Sequence, residues 1–312
     1  MKSDTSLFAA IDLGSNAFRM MIGQPVKRNR QWVIEEVKSL REPVRLAEGL
    51  HDGALDELAL DRGWQALARF GKKLRGFEPG RVRAVATSAV REAANAKLFL
   101  SDAQRHLGFP IDVISDQEEA QLVYAGVSHR IPAADTRRLV VDIGGGSTEL
   151  ILGRGQQALL TESLNIGSGI WSTRYFPGGV VRAQALLDAE RTATLQFEKV
   201  ARRYRHLGWQ QAIGSSGTAR MLAKVLRANA LNDCGEGGIT YRGLLRLSVL
   251  LLEAGHVNCT RLGGLQPHRQ SALPGGLAIM LAAFKAFGIT EMMPSEPGLR
   301  FGVLHGLMLN RA

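Results

Sequence analysis

The sequence predicts a two-domain α/β protein, and three observations predict it. A strand–turn–strand motif occurs twice, its aspartates 130 residues apart. Strand-like and helix-like segments alternate after each copy, which implies layered α/β domains. The 312 residues, 45% hydrophobic and 22% charged, suffice for two cores of ordinary size.

The first copy runs from the apolar residues 7–11 through Asp12-Leu-Gly14-Ser15-Asn16 into a second apolar run that closes at Gly23. The second runs from 139–141 through Asp142-Ile-Gly144-Gly145-Gly146-Ser147-Thr148-Glu149 and closes at Gly153. In both, the closing glycine follows the aspartate by eleven residues. Apolar runs bounded by a Gly/Ser turn read as a hairpin of buried strands.

The other elements follow in order. Residues 31–44 read as a strand with a connection. Leu60, Trp64, Leu67, Phe70 and Leu74 recur at helical spacing within 55–74. Residues 82–87 read as a strand, 88–107 as one helix, 111–114 as a short strand and 116–128 as a helix. The polar, turn-rich segment 130–138 reads as the domain junction, giving domains 1–128 and 129–312. In the second half, 159–166 read as a strand entering the loop Gly167-Ser168-Gly169, and 183–207 as a long helix. A strand at 209–213 enters Gly214-Ser215-Ser216-Gly217-Thr218, ahead of a helix at 219–230. Helices at 244–255, 277–287 and 298–309 complete the chain, the last able to pack back on the first domain.

Composition narrows the function classes. No run approaches 18 apolar residues, so no membrane span is expected. The first apolar run contains Asp12, so residues 1–5 do not open a signal peptide. Cys234 and Cys259 lack metal-ligand spacing and read as reduced thiols of a cytoplasmic protein. The net charge of +10 is uneven, with 18 Lys/Arg against 9 Asp/Glu in residues 151–312 and 21 against 20 before them. A basic half attracts polyanions, or serves only as a solubilising face. Aromatic residues are 6% of the chain, with no interleaved stacking platform and no nucleic-acid-binding motif, so an inorganic polyanion fits as well as nucleic acid.

The repeated tips point to phosphate chemistry. Glycines let backbone N–H groups approach an anion, and a carboxylate beside a phosphate calls for a hard cation such as Mg²⁺. A tight hairpin with a polar tip gives the same pattern once; its repetition at equal spacing argues for more. Gly214–Thr218 ahead of a helix offers a further anion site. Ser115 and Glu118 fit a capping box, which leaves Glu119 as the freer carboxylate and the candidate for activating water. As a first-turn acid, Glu119 also suits the helix dipole. Arg91, read near the start of the helix 88–107, opposes that dipole, and its planar fork suits a phosphate; pairing with Glu92 or another acid is the alternative.

Five blocks together resemble the exopolyphosphatase / guanosine pentaphosphate phosphatase (Ppx/GppA) family. They are Asp12–Asn16, Ala86–Asn95, Ile114–Ala120, Asp142–Glu149 and Gly214–Thr218, with support from Tyr175–Gly179 and Gly276–Ile279. The resemblance implies two ribonuclease-H-like domains of the actin-like ATPase superfamily with an interdomain active-site cleft. It implies Glu119 as general base, Arg91 as phosphate clamp, and Asp142 and Glu149 as Mg²⁺-linked acids with Asp12 facing them. The phosphate loops would be Asp12, Gly14, Ser15 and Asn16; Gly144, Gly145, Gly146 and Ser147; and Gly214, Ser215, Ser216, Gly217 and Thr218. The implied reaction is hydrolysis of terminal phosphate from inorganic polyphosphate by the short, two-domain form, with a homodimer implied by the likeness alone. Removal of the 5′-phosphate from guanosine pentaphosphate is the second reading. A non-catalytic polyphosphate or nucleic-acid binder is a third, and a kinase or chaperone ATPase shares the fold. Two places depart from the family's pattern: the block Ser295–Gly302 lacks the usual Asp-Gly and has Phe301 where a Glu is usual after Arg300, and Pro274 falls one position early.

Overall fold

The computed structural model describes residues 7–28, 31–129, 135–232 and 237–309. It divides into two compact units, residues 1–126 with 297–312, and residues 127–296. Cys234 and residues 130–134 of the expected junction lie outside the described residues.

Unit 1 is built on a five-stranded sheet. The strands are β1 (Phe8–Leu13), β2 (Phe18–Arg28), β3 (Gln31–Glu42), β6 (Val82–Ala86) and β7 (Ile111–Val113), in the order β3-β2-β1-β6-β7. A small ribbon, β4 (Leu50–His51) with β5 (Ala54–Leu55), stands apart. β1–β2 and β2–β3 are antiparallel, whereas β1–β6 and β6–β7 are parallel. Side chains alternate across β1 with period two. Ala9, Ile11 and Leu13 enter the core under helices α1 (Glu57–Lys73) and α3 (Ala96–Leu107). Phe8 and Ala10 enter a second core with residues of helix α10 (Leu299–Leu309). Both faces are therefore covered, which is why β1 reads as an almost unbroken apolar run. Asp12 continues the Phe8–Ala10 face to the strand's end.

The stretch 88–107 is two helices, α2 (Ser88–Arg91) and α3. The break is tertiary. The Asn95 side chain exchanges hydrogen bonds with Leu55 backbone at 2.8 and 2.9 Å, and Ala94 N–H donates to Gly53 O at 2.7 Å. These bonds pull residues 92–95 out of helical register. Helix α4 (Asp116–His129) follows β7, and the division between the units falls inside it. Glycines set the contact of α4 with α10. A Cβ at Gly302 would lie 1.9 Å from Leu122 O, and one at Gly126 would lie 2.1 Å from Gly298 O. Phe301 is buried beside Phe8, Met21 and Ile114, a core role that takes an apolar side chain where the family pattern has a carboxylate.

Unit 2 repeats the plan with strands β8 (Arg137–Ile143), β9 (Thr148–Arg154), β10 (Gln157–Leu164), β11 (Gln211–Ser215), β12 (Ile239–Thr240) and β13 (Glu291–Pro294). Their order is β10-β9-β8-β11-β13-β12, with β8–β9 and β9–β10 antiparallel and β8–β11 and β11–β13 parallel. The antiparallel triplet followed by parallel strands is the ribonuclease-H-like order expected from the resemblance. Helices α5 (Ser168–Tyr175), α6 (Ala183–Leu207), α7 (Ser216–Ala228), α8 (Tyr241–Ala254) and α9 (Leu273–Phe287) contribute to the core. The residues read as a loop at 167–169 continue as α5, and α7 starts three residues earlier than its apolar spacing predicts. Residues 267–287 form the one helical stretch, among those described, long and apolar enough to cross a membrane. Its most apolar window is 83% buried inside the fold, as for a core helix. Cys259 is an exposed free thiol.

Candidate active site

The expected site residues gather at the carboxyl ends of the parallel strands, one set in each unit. That edge is where open α/β sheets place ligands. In unit 1, Thr87 N–H reaches Leu13 O at 3.4 Å and Ile114 N–H reaches Ala86 O at 3.1 Å, so the ends of β1, β6 and β7 are in step. The first tip spans 14–17. Its Ser15 hydroxyl lies 2.9 Å from that of Ser88, and Ser15 O and Asn16 O accept from Ala47 and Arg45 N–H at 3.0 and 2.9 Å. Ser15 and Asn16 N–H donate to no other described residue, so they stay available to an anion.

Glu119 and Arg91 are brought together at this edge. Arg91 Nη1 donates to Ile114 O at 2.9 Å and to Glu119 Oε2 at 3.2 Å, while Nη2 donates to Asp116. Glu119 is buried at 7% exposure. A buried carboxylate costs free energy unless paired and hydrogen-bonded, and the guanidinium supplies both. Arg91 Nε has no partner among the described residues and can meet an oxyanion. The dipole argument for Arg91 is corrected. α2 ends at Arg91, so its charge lies at a helix C-terminus, where a cation is favoured. Its partners are Asp116 and Glu119, not Glu92. Burial pushes the Glu92 carboxyl above the usual range, more strongly than Arg91 pulls it down.

The capping box forms only in part. Glu118 N–H donates to Ser115 Oγ at 3.1 Å, but the Glu118 carboxylate turns away to Arg83 Nη2 at 2.6 Å. That engagement leaves Glu119 as the inward carboxylate of the pair.

Asp12 sits opposite Arg19 in the β1–β2 register. Burial pushes its carboxyl above the usual range, against a downward pull from Arg300 and Arg19. Arg300, the Arg of the terminal block Ser295–Gly302, lies in the first turn of α10.

In unit 2 the corresponding hairpin pairs its aspartate with a second acid instead of an arginine. Asp142 pairs with Glu149 across β8–β9, Glu149 with Ser163 across β9–β10, and Asp142 with Ser215 across β8–β11. Directly paired residues share a sheet face. The result is a transverse row of two carboxylates flanked by hydroxyls, with Ser163 Oγ donating to Glu149 Oε1 at 3.0 Å. Ser215 Oγ is buried with no hydrogen-bond partner among the described residues. Hard oxygens in this row fit Mg²⁺, which binds through one or two carboxylates and keeps several waters. No described group of three or more His, Cys, Asp or Glu offers a fuller cage.

The tip 144–147 is braced from α5. Ser168 N–H and Oγ both donate to Gly144 O at 2.9 Å, and Gly169 N–H donates to Gly145 O at 3.0 Å. Gly145 and Gly146 N–H donate to no described residue. Gly167 must be glycine, since a Cβ there would lie 2.4 Å from Gly145 backbone. The segment Gly214–Thr218 is the end of β11 and the first turn of α7, not a free loop. Ser216 takes φ +74°, its hydroxyl donates to Ile143 O at 2.7 Å, and it accepts from Thr218 N–H at 3.2 Å. One of the expected anion donors is thus satisfied within the chain. The sequence also gave no sign of Arg269, whose guanidinium lies so close over Gly217 that a Cβ would meet Nη2 at 2.1 Å.

Comparison with known proteins addresses the family and the fold. Residues 26–311 match the model of the Ppx/GppA phosphatase family; the tip at Asp12 precedes the matched stretch. The fold is similar to the crystal structure of an exopolyphosphatase from Cytophaga hutchinsonii (TM-score 0.83, 24% identity, 98% of each chain covered). It is similar also to an exopolyphosphatase-like protein (0.84, 23%, 98% of this chain and 100% of that one). A third likeness is to the Ppx/GppA family member of Aquifex aeolicus (0.76, 25%, 98% of each chain). The sequence blocks, the doubled sheet and the match over nearly the whole length lead to one assignment: the chain belongs to the Ppx/GppA phosphatase family, hydrolases of phosphoanhydrides.

Proposed function

We propose that the protein is a cytoplasmic, Mg²⁺-dependent exopolyphosphatase that removes terminal phosphate from inorganic polyphosphate as orthophosphate. The observation that carries the reading is the buried Glu119 carboxylate held by Arg91 at the sheet's carboxyl edge. Family membership and the exopolyphosphatase among the similar structures support it.

In this reading Glu119 takes a proton from the attacking water as the water oxygen bonds the terminal phosphorus and the bridging P–O bond breaks. Arg91 fixes the carboxylate's orientation and offers Nε to a phosphate oxygen. Ser15 and Asn16 offer backbone N–H donors to phosphate on the tip of unit 1, and Gly145 and Gly146 offer a like pair on the tip of unit 2. Asp142 and Glu149 would hold Mg²⁺, which when bound neutralises charge on phosphate oxygens. Phosphoryl transfer asks the protein mainly for positioning and charge stabilisation, and these groups supply both. The homodimer is part of the proposal and is checked by the mass in solution.

Product analysis tests the mode of attack. Long polyphosphate incubated with the enzyme and Mg²⁺ should yield orthophosphate from the first time point, with no ladder of internal fragments. Fragments of intermediate length without early orthophosphate would overturn the terminal assignment.

A further inference from the structure

The two hairpins share a backbone plan and an aspartate but differ in charge at the position opposite it. At the position opposite the aspartate, unit 2 has Glu149 and unit 1 has Arg19. One strand further, Arg19 pairs with Arg41 in the β2–β3 register, where unit 2 has Ser163. Adjacent strands lie about 5 Å apart, so the two guanidiniums project from neighbouring positions on one face. Arg45 follows within the same segment, and its N–H donates to Asn16 O of the first tip at 2.9 Å. This ties the basic row to a loop whose own N–H groups are unoccupied.

The row is short of acids. Glu42 turns to Arg69 at 2.9 Å, and Arg45 meets Glu48 only at 3.6 Å, with both side chains largely exposed. Asp12 is half-buried and also feels the charge of Arg300. Arg41 Nε is buried with no hydrogen-bond partner among the described residues. Burial and the like charges of Arg19 and Arg45 all weaken Arg41's hold on its proton. Guanidiniums packed together, with a buried donor left over, are matched by an anion with many oxygens.

We propose that Arg41 and Arg45, beside Arg19, form a phosphate subsite that holds phosphates of the substrate beyond the one cleaved, with Arg41 setting the preference for long chains. This rests on the exopolyphosphatase reading for the identity of the anion, but the binding itself is testable without turnover.

The experiment measures steady-state kinetics on long polyphosphate and on triphosphate, and equilibrium binding of long polyphosphate to the Glu119→Gln protein across a salt series. Arg41→Gln should raise KM for the long chain about tenfold, in line with loss of one charge-assisted contact, while KM for triphosphate rises less than threefold. The slope of log Kd against log salt should fall by about 0.7–0.9 for each arginine removed. Arg41→Lys should restore the slope, since it keeps the charge and loses only the fork. Arg45→Gln, on an exposed side chain, repeats the test at a position with little folding risk. Unchanged affinity and salt slope in both Gln variants would overturn the subsite, as would equal losses for long chain and triphosphate. If the wild type binds polyphosphate through Arg41 but releases no orthophosphate, the subsite stands and the enzymatic reading fails. If the wild type turns over normally and both variants match it, the reading stands and the subsite fails.

Discussion

Glu119 accepts a hydrogen bond from Arg91 at 3.2 Å, across 28 residues of sequence and between two helices that follow neighbouring strands. The pair exists because β6 and β7 are parallel and in step, so that the residues beyond each strand end meet. Neither partner alone distinguishes a catalytic group from a surface ion pair; burial of the carboxylate does.

Removing the guanidinium therefore costs orientation more than binding. Arg91→Ala should lower kcat by about 10²–10³-fold, the scale expected for loss of a preorganised active-site group. Arg91→Lys should recover only part, since an ammonium lacks the fork that reaches Ile114 O and Glu119 together. Initial rates at saturating polyphosphate check both.

The acidic row in unit 2 makes a separable prediction. Asp142→Asn and Glu149→Gln should each weaken Mn²⁺ or Mg²⁺ binding at least tenfold by calorimetry, and chelation should abolish wild-type turnover until Mg²⁺ is restored. Ser215→Ala, at the end of the same row, should leave folding intact, because its hydroxyl makes no described hydrogen bond to lose.

Asp12 predicts a pH effect on stability. Burial holds its carboxyl above the usual range, so the folded state binds this proton more tightly than the unfolded chain does. Its contribution is then fully present below the ordinary carboxylate pKa and is lost as pH rises through the higher folded value. Asp12→Asn should raise the unfolding midpoint at neutral pH and leave it unchanged in acid. Thermal unfolding at two pH values reads the sign directly.

Close helix contact predicts the fourth effect. Gly302→Ala places a methyl 1.9 Å from Leu122 O, a backbone atom that cannot rotate away. Overpacking of this kind costs about 1–3 kcal/mol, so α10 should loosen from unit 1, visible as faster amide exchange in 299–309.

Much of this molecule was legible in its sequence. Both hairpins, the long helix α6, the strand ends bearing Asp12 and Asp142 and the helix start bearing Glu119 follow from local pattern, because an apolar run and a glycine turn report on their own neighbourhood. The misses are tertiary. The break between α2 and α3 comes from Asn95 bonding to Leu55, forty residues away, and nothing near Asn95 announces it. α5 is short and only partly buried, so its apolar spacing is weak. β13 is a four-residue strand whose pairing is set by β11 and β12. No local pattern singles out Arg41 or Arg269; only the fold sets them beside a second arginine and a glycine.

The most direct test of the central claim is orthophosphate release with Mg²⁺ from long polyphosphate, triphosphate and guanosine pentaphosphate, wild type beside Glu119→Gln. The account predicts fastest release from long polyphosphate, at least a hundredfold slower release in the variant, and retained polyphosphate binding in both. Preference for guanosine pentaphosphate, or full activity in Glu119→Gln, would contradict it.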